Sequence, residues 1–271
     1  MRLIGHTMAT PGRTAEEAMA LFAGLGLDGV ELVCREGMAL PPDTSLADAR
    51  CIAERGRAAG CPVVTVTPYA WEINSPDDAI ANAHRRLLHH ACDLAHAMGA
   101  EFVRAYGGKE AAPDNEAAAW ARTVAALRDA ASYAADHGLT ILVENHPGTM
   151  TRSGAATQRL IRDVDHANVR ALYDPANVLA DTDEPWETTL AIQRGSIGYV
   201  HVKDFAMVEG ERRACCVGEG TVPWAEILPR LVSSGYDGCL SFEYEKMWHP
   251  EQLPEPQEGL RRCVEFVRQF L

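Results

Sequence analysis

Four short segments in the second half of the chain each close a strand-like run with a side chain that binds metals. They are Thr140-Ile141-Leu142-Val143-Glu144, Val169-Arg170-Ala171-Leu172-Tyr173-Asp174, Gly198-Tyr199-Val200-His201 and Cys239-Leu240-Ser241-Phe242-Glu243. Glu, Asp, His and Glu form a mixed oxygen and nitrogen donor set, which suits Mn2+, Mg2+, Co2+ or Zn2+ better than a soft metal. Glu144 ends a run of Ile, Leu and Val, where a carboxylate is costly to bury unless it is paired or holds a cation. Its competing reading is a salt bridge to an arginine. Asp174 precedes Pro175, which pushes its backbone extended, and a helix cap or Asx turn is the competing reading there. His201 lies between Val200 and Val202 and so points to the opposite side of the strand, inward. Glu243 and Glu245 share strand parity. Glu245 lies further out beside Lys246, where an ion pair is plausible, so Glu243 is preferred as the ligand.

Side chains so far apart in sequence meet only if the fold gathers strand ends. Eight strand-like runs are spaced along the chain, at 2–7, 29–33, 62–67, 101–105, 139–144, 169–174, 198–203 and 239–244. Most are short and apolar on both sides, as buried parallel strands are. Helical patterns separate them. Leu87, Leu88, Ala91, Leu94, Ala95 and Met98 form one apolar stripe, closed by Gly99. Ala117, Trp120, Val124, Leu127 and Ala131 form another, with Asp114 as a cap and Gly138 as a stop. Pro223 fits a first helical position, and Gly235 ends that helix. Eight alternations in this length predict a (β/α)8 TIM barrel, a single domain over residues 1–271, in which the C-terminal strand ends share one mouth. A doubly wound sheet is the competitor, but no G-x-G-x-x-G follows the first strand. The longest strand-to-helix loops, after the third, seventh and eighth strands, would shape a pocket on the mouth side.

The chain has 271 residues and a net charge of −13. No basic stripe is present, which disfavours nucleic acid. No apolar run is long enough for a membrane span, and the N-terminus has no cleavable signal pattern. Eight scattered cysteines without a CxxC pair read as reduced thiols of a cytoplasmic protein. Adjacent Cys215 and Cys216 rarely coordinate one ion together.

Further polar residues sit near the predicted mouth. Asn177 and His146 lie just past ligand strands, where they would touch substrate hydroxyls or orient a ligand, loop capping being the alternative. His6 and Arg104 end the first and fourth strands and are candidate substrate contacts. Lys203 points the same way as His201; it would bind a substrate oxygen or phosphate, or neutralise Asp204 or Glu219. Glu31 reads as a wall residue or, better, one half of an internal ion pair. Trp71 and Trp248 lie in mouth loops and would cover an apolar substrate face or plug the surface. His89, His90 and His96 read as solvated helix surface. Gly107-Gly108-Lys109 is a candidate anion loop.

Several motifs run in a shared order: Leu142-Val143-Glu144-Asn145-His146, Leu172-Tyr173-Asp174-Pro175-Ala176-Asn177, Val200-His201-Val202-Lys203-Asp204, Gly218-Glu219-Gly220-Thr221-Val222-Pro223-Trp224 and Phe242-Glu243-Tyr244-Glu245. In this the chain resembles the sugar phosphate isomerase/epimerase family, the xylose-isomerase-like barrels, over essentially its whole length. The resemblance implies one divalent metal, Mn2+ first among the candidates, held by Glu144, Asp174, His201 and Glu243. It also implies that Glu144 and Glu243 form an acid/base pair. Position 177 carries Asn where ketose epimerases of the family often place a substrate-binding histidine. Endonuclease IV, a relative with three zinc ions, is a poor match, since its extra histidine is missing near Asp174 and the net charge is acidic.

A divalent ion flanked by two glutamates suits proton transfer next to a carbonyl through a metal-stabilised enediolate. The leading reading is therefore a metal-dependent isomerase or epimerase of a sugar, keto-sugar or cyclic polyol. A dehydratase or lyase, of the inosose or dehydroshikimate type or acting on oxidised glycosides, uses the same site and stands as the alternative. A barrel that binds a sugar or protein without turnover, and a nuclease, follow. A small-molecule carbohydrate is the expected partner, with no nucleic acid or membrane, and pairing into a homodimer through outer helices is expected.

Overall fold

The computed structural model describes residues 1–271. Eight parallel strands close into a barrel: β1 (Arg2–His6), β2 (Gly29–Cys34), β3 (Val63–Pro68), β4 (Phe102–Tyr106), β5 (Thr140–Glu144), β6 (Val169–Tyr173), β7 (Ile197–Val202) and β10 (Cys239–Phe242). The ring runs in chain order, and β10 pairs with both β7 and β1 to close it. The helices α1 (Ala15–Gly24), α2 (Leu46–Ala58), α3 (Asp78–Met98), α4 (Glu116–Asp136), α5 (Gly154–Val164), α6 (Pro175–Asp181), α7 (Trp186–Gln193), α8 (Trp224–Ser233) and α9 (Pro256–Arg268) surround it. No helix is long and apolar enough to cross a membrane.

Two apolar layers hold this arrangement. A large cluster fills the space between strands and helices, through residues such as Phe22, Leu88, Leu127, Trp224 and Leu260. A small cluster of Ile4, Val64, Leu142, Leu172, Tyr199 and Cys239 plugs the inside of the barrel. Successive residues of a strand alternate sides. Two residues beyond five of these plug positions therefore stand His6, Glu144, Asp174, His201 and Ser241, on the same inward side but nearer the mouth. The plug thus forms a dry floor under a ring of polar groups.

One element departs from the expected open loop after β7. Residues Asp204–Val208 and Glu211–Cys215 form an antiparallel hairpin, β8 and β9, turning at Glu209 (φ 53°) and Gly210 (φ 84°). Two successive positive φ values give the two-residue turn whose twist matches a hairpin. Its outer strand, Glu211-Arg212-Arg213, is exposed and charged, so hydrophobic patterning gives no sign of it.

Helix details shift slightly. The N-cap of α4 is Asn115 rather than Asp114, without a side-chain capping bond. Ala117 is exposed; the buried face of α4 passes through Ala119, Trp120, Thr123, Ala126, Leu127, Ala130, Ala131 and Ala134. Pro223 sits at the N-cap of α8, one position before the helix. His89 is not simply solvated: its ring stacks on Tyr133 of α4 at 4.3 Å, and its Nε2 lies 2.9 Å from Asp129.

Candidate metal centre

The ends of β5, β6, β7 and β10 bring Glu144, Asp174, His201 and Glu243 to one point. One ligand atom from each lies within 4.8 Å of the others, and all four residues are buried. Chain geometry fixes each of them differently.

Asp174 does two jobs. Its Oδ1 accepts the Asn177 N–H at 2.9 Å and so caps α6, whose first residue is Pro175. Its Oδ2 is left without a hydrogen-bond partner, 3.1 Å from Lys203 Nζ. The cap and the inward carboxylate oxygen, competing readings of the sequence, are both present. Asn145 clamps the strand end next to it: its Nδ2 donates to the Asp174 carbonyl at 2.6 Å, and its Oδ1 accepts the Asp174 N–H at 3.1 Å. This side chain joins the two strand ends that carry Glu144 and Asp174.

Glu144 accepts from Asn177 Nδ2 at 3.3 Å. Its other oxygen lies 3.6 Å from Arg104 Nη1, so an arginine neighbour is present too. Burial raises the Glu144 pKa, but the combined pull of His146, Arg104 and His201 outweighs it and holds the carboxyl below its usual range. Burial dominates at Asp174, which is pushed up to about 7 although Lys203 opposes the shift.

His201 is held from behind by Glu31, a residue read from sequence only as a wall or ion-pair partner. Glu31 is fully buried. Its oxygens lie 3.2 and 3.3 Å from His201 Nε2 and accept from Thr67 Oγ1 at 2.5 Å and Ser241 Oγ at 2.7 Å. A carboxylate beside Nε2 keeps the proton there. Nδ1 lies 3.4 Å from Glu144 Oε1 and 3.6 Å from Glu243 Oε2 with no hydrogen-bond partner. Although burial opposes it, Glu31, Glu243 and Glu144 raise the His201 pKa well above its ordinary value, and in the neutral ring Nδ1 is the lone pair left for a metal. A carboxylate behind a histidine is the usual means of orienting a metal-binding imidazole. His6 joins this support: its Nδ1 accepts the Met8 N–H at 3.1 Å, and its Nε2 faces Glu31 at 3.4 Å.

Lys203 reaches neither Asp204 nor Glu219. Its Nζ donates to Glu243 Oε2 at 2.5 Å and lies 3.1 Å from Asp174 and 3.5 Å from Glu245. Burial opposes its charge, yet Asp174, Glu243 and Glu245 together raise its pKa well above the ordinary lysine value. Glu245 therefore faces Lys203, and Lys246 pairs with Glu255 instead. Asp204 collects four backbone N–H groups, from Phe205, Gly218, Gly220 and Val222, and so ties the hairpin to the loop that follows it. Glu219 is paired with Arg262.

The wall on the β3–β4 side is aromatic. Trp71 stacks on Tyr106 at 3.9 Å, and the His146 ring meets both edge-on at 5.0 Å. His146 Nδ1 lies 2.8 Å from the Pro147 carbonyl and donates to it, which leaves Nε2 as an acceptor. Arg104 lies 3.7 Å from the Tyr106 ring centre; it is buried, and its Nε and Nη1 have no hydrogen-bond partner. Trp71 is thus a packed wall residue, whereas Trp248 is 45% exposed beneath Arg35. The Gly107-Gly108-Lys109 loop is not a free anion cradle. Asn74 Oδ1 takes the Lys109 N–H at 3.0 Å, and Glu72 takes its ammonium at 3.2 Å.

A divalent cation fits this donor set. Three carboxylates and an imidazole are the oxygen and nitrogen ligands such ions take. Asp174 Oδ2 and His201 Nδ1 are buried polar atoms without a hydrogen bond. Apart from Lys203 Nζ, 3.1 Å from Asp174, nothing but neighbouring ligand carboxylates faces them, an arrangement that a cation would relieve. Cys215 and Cys216 join no such cluster.

A xylose-isomerase-like TIM-barrel family model matches residues 19–269. The chain belongs to the xylose-isomerase-like TIM-barrel family. An L-ribulose 3-epimerase of Mesorhizobium japonicum is 27% identical over 214 residues, 75% of this chain and 67% of that one. An inosose dehydratase of Halalkalibacterium halodurans is 27% identical over 123 residues, 45% of this chain and only 39% of that one. The solved D-allulose 3-epimerase from Methylomonas sp. superposes with a TM-score of 0.82 at 20% identity, over 100% of this chain and 98% of that one. At that identity the likeness speaks for the barrel alone. In this xylose-isomerase-like barrel the polar ring above the apolar floor is the feature that carries chemistry.

Proposed function

We propose that this barrel is a divalent-metal-dependent isomerase or epimerase acting on a sugar, keto-sugar or cyclic polyol. The observation that carries the reading is the buried Glu144, Asp174, His201 and Glu243 cluster, with two glutamates among its ligands. Glu144, Asp174, His201 (through Nδ1) and Glu243 would hold the ion, Mn2+ first among the candidates. When bound, such an ion acts as a Lewis acid that polarises a substrate carbonyl and stabilises the charge that develops on it.

The side chains supply the rest. Lys203 keeps Glu243 ionised, and Arg104 and Asn177 do the same for Glu144. One glutamate removes the proton next to the carbonyl, giving an enediolate. For isomerisation the same glutamate returns that proton to the neighbouring carbon; for epimerisation the other glutamate relays a proton from solvent to the opposite face, and the first releases its proton to solvent. Arg104 offers unpaired N–H groups beside Glu144, and His146 Nε2 offers an acceptor; both suit substrate hydroxyls. The Trp71–Tyr106 wall suits the C–H face of a sugar.

Charge favours an uncharged substrate. Glu31, Glu144, Asp174, Glu243 and Glu245 contribute five negative charges. Arg104, Lys203 and a divalent ion return four. A phosphorylated sugar would add to that excess. The family relationship and the names of the relatives, an L-ribulose 3-epimerase and an inosose dehydratase, support a carbohydrate or polyol. The dehydratase relative favours one second reading, in which a β-hydroxyl leaves the same enediolate and the product is unsaturated or a diketone.

The test is proton exchange in D2O. The Mn2+-loaded protein is given a panel of ketoses and inososes and followed by proton NMR. Loss of the signal next to the carbonyl, abolished by chelation and by Glu144→Gln, is expected. No exchange and no new product from any member of the panel would overturn the reading, and an unsaturated product would select the dehydratase.

A further inference from the structure

One cleft remains that this chemistry does not use. It encloses about 400 Å³ and adjoins the ligand cluster through two shared neighbours, Lys203 and Asn177. Its inner end is made by Lys203, Asn177 and Glu245. Lys203 touches Asp174 and Glu243, and Asn177 touches Glu144, so these two side chains separate the cleft from the metal ligands by a single layer. Its outer end is made by Phe205 and Arg212 of the β8–β9 hairpin and by His249 of the loop after β10. The remaining apolar lining is alanine, which leaves the space open.

The volume lies within the range of small-molecule sites, roughly 300–1,000 Å³. The reacting carbons of a sugar occupy the cluster itself, so a free pentose or hexose would leave most of the outer cleft to water. The lining also indicates what fills it. Lys203 is committed to three carboxylates, Glu245 among them, which leaves Glu211 against Arg212 at the outer end. This balance does not favour an anion. It offers donors and acceptors side by side, as hydroxyl groups require, and Phe205 adds a flat face for a ring. The Arg212 guanidinium lies 6.0 Å from the centre of that ring, and His249 Nε2 lies 4.0 Å from Glu245.

Resting on the function proposed above, we propose that this cleft is a second subsite. It takes a neutral glycosyl or polyol group attached to the ketose or inosose that reacts at the cluster. The hairpin then belongs to substrate recognition, and the natural substrate is larger than a monosaccharide.

Calorimetric titration of the Mn2+-loaded protein tests this with two commercial sugars, fructose and isomaltulose, in which a glucosyl group is carried on O6 of fructose. The expected result is that isomaltulose binds at least tenfold more tightly. In the Arg212→Ala/His249→Ala double variant the ratio of the two affinities should fall to near one, in a protein whose circular dichroism matches the parent. Fructose binding with no gain for isomaltulose, or a gain that survives the double variant, overturns the subsite and leaves the proposed function standing. If neither sugar binds, the subsite is overturned, and proton exchange with the panel of ketoses and inososes decides the proposed function.

Discussion

Replacing Glu31 with Gln changes no atom that would touch the ion, and the geometry nevertheless predicts that it weakens metal binding. Glu31 lies in the fully buried interior with Thr67 Oγ1, Ser241 Oγ and His201 Nε2 all directed at its two oxygens. A glutamine of the same shape has one acceptor and one donor. The hydroxyls of Thr67 and Ser241 can rotate to accept, but His201 Nε2–H cannot. If the amide NH2 faces it, the imidazole must move its proton to Nδ1, the nitrogen directed at Glu144 and Glu243. That proton occupies the position a metal needs. Loss of such a supporting carboxylate costs about 10–100-fold in metal affinity, or ~1.4–2.8 kcal/mol at about 1.4 kcal/mol per factor of ten. Competition against a fluorescent chelator at fixed pH measures it, and a melting curve without metal confirms that the variant folds. Mn2+ affinity within twofold of the parent would refute the argument that Glu31 sets the His201 tautomer.

Three further outcomes follow from the same structure. Asp174, raised from 3.8 to about 7 by burial, holds a proton in the fold that the unfolded chain releases above about pH 4. The folded state therefore binds more protons between these values, and this group makes the metal-free protein less stable as pH rises from about 4 to 7. Metal binding must expel that proton, and also the one held by His201, whose pKa is raised well above its ordinary value. Apparent Mn2+ affinity should therefore climb with pH through about 7; affinity flat from about pH 5.5 to 8 would contradict this. Among the eight cysteines, Cys51 is exposed, whereas Cys34, Cys61 and Cys92 are buried with thiol pKa values pushed up to about 12. At pH 8 those thiols, and that of half-buried Cys215, also raised to about 12, are about one part in 10⁴ ionised, and Cys216, Cys239 and Cys263 are buried. A thiol-disulfide reagent should therefore modify one cysteine rapidly in the native protein and all eight after denaturation. Asp204→Ala strands four backbone N–H groups at the base of the hairpin and should cost about 1–3 kcal/mol locally. Hydrogen exchange over residues 205–222 should quicken while β5 and β6 stay protected.

The strands were legible because buried parallel strands are short apolar runs, and each ligand stands at the polar end of one. Period-two alternation gave the inward direction of His201, and the floor beneath it confirms the parity, since Tyr199 lies two residues earlier in the apolar plug. Charged positions were harder to read. Lys203 and Glu245 carry the right side chains for several partners, and which one each meets depends on distances across the mouth rather than on neighbours in sequence. The hairpin was hidden for a related reason: its outer strand is exposed and charged, and its Glu-Gly turn is a weak local signal.

Local chemistry decided which residues could bind a cation, which runs become strands and where the chain turns back. Closure of the ring decided what each side chain does, because it brings Glu31 within hydrogen-bonding distance of side chains such as His201 and Ser241, more than a hundred positions away. Glu31 shows the division most plainly. Nothing near it in the chain distinguishes it from any other carboxylate in a strand. It acquires a role only where β2 and β7 face each other across the barrel, and a buried acceptor 3.2 Å from His201 Nε2 dictates which nitrogen of that ring stays free.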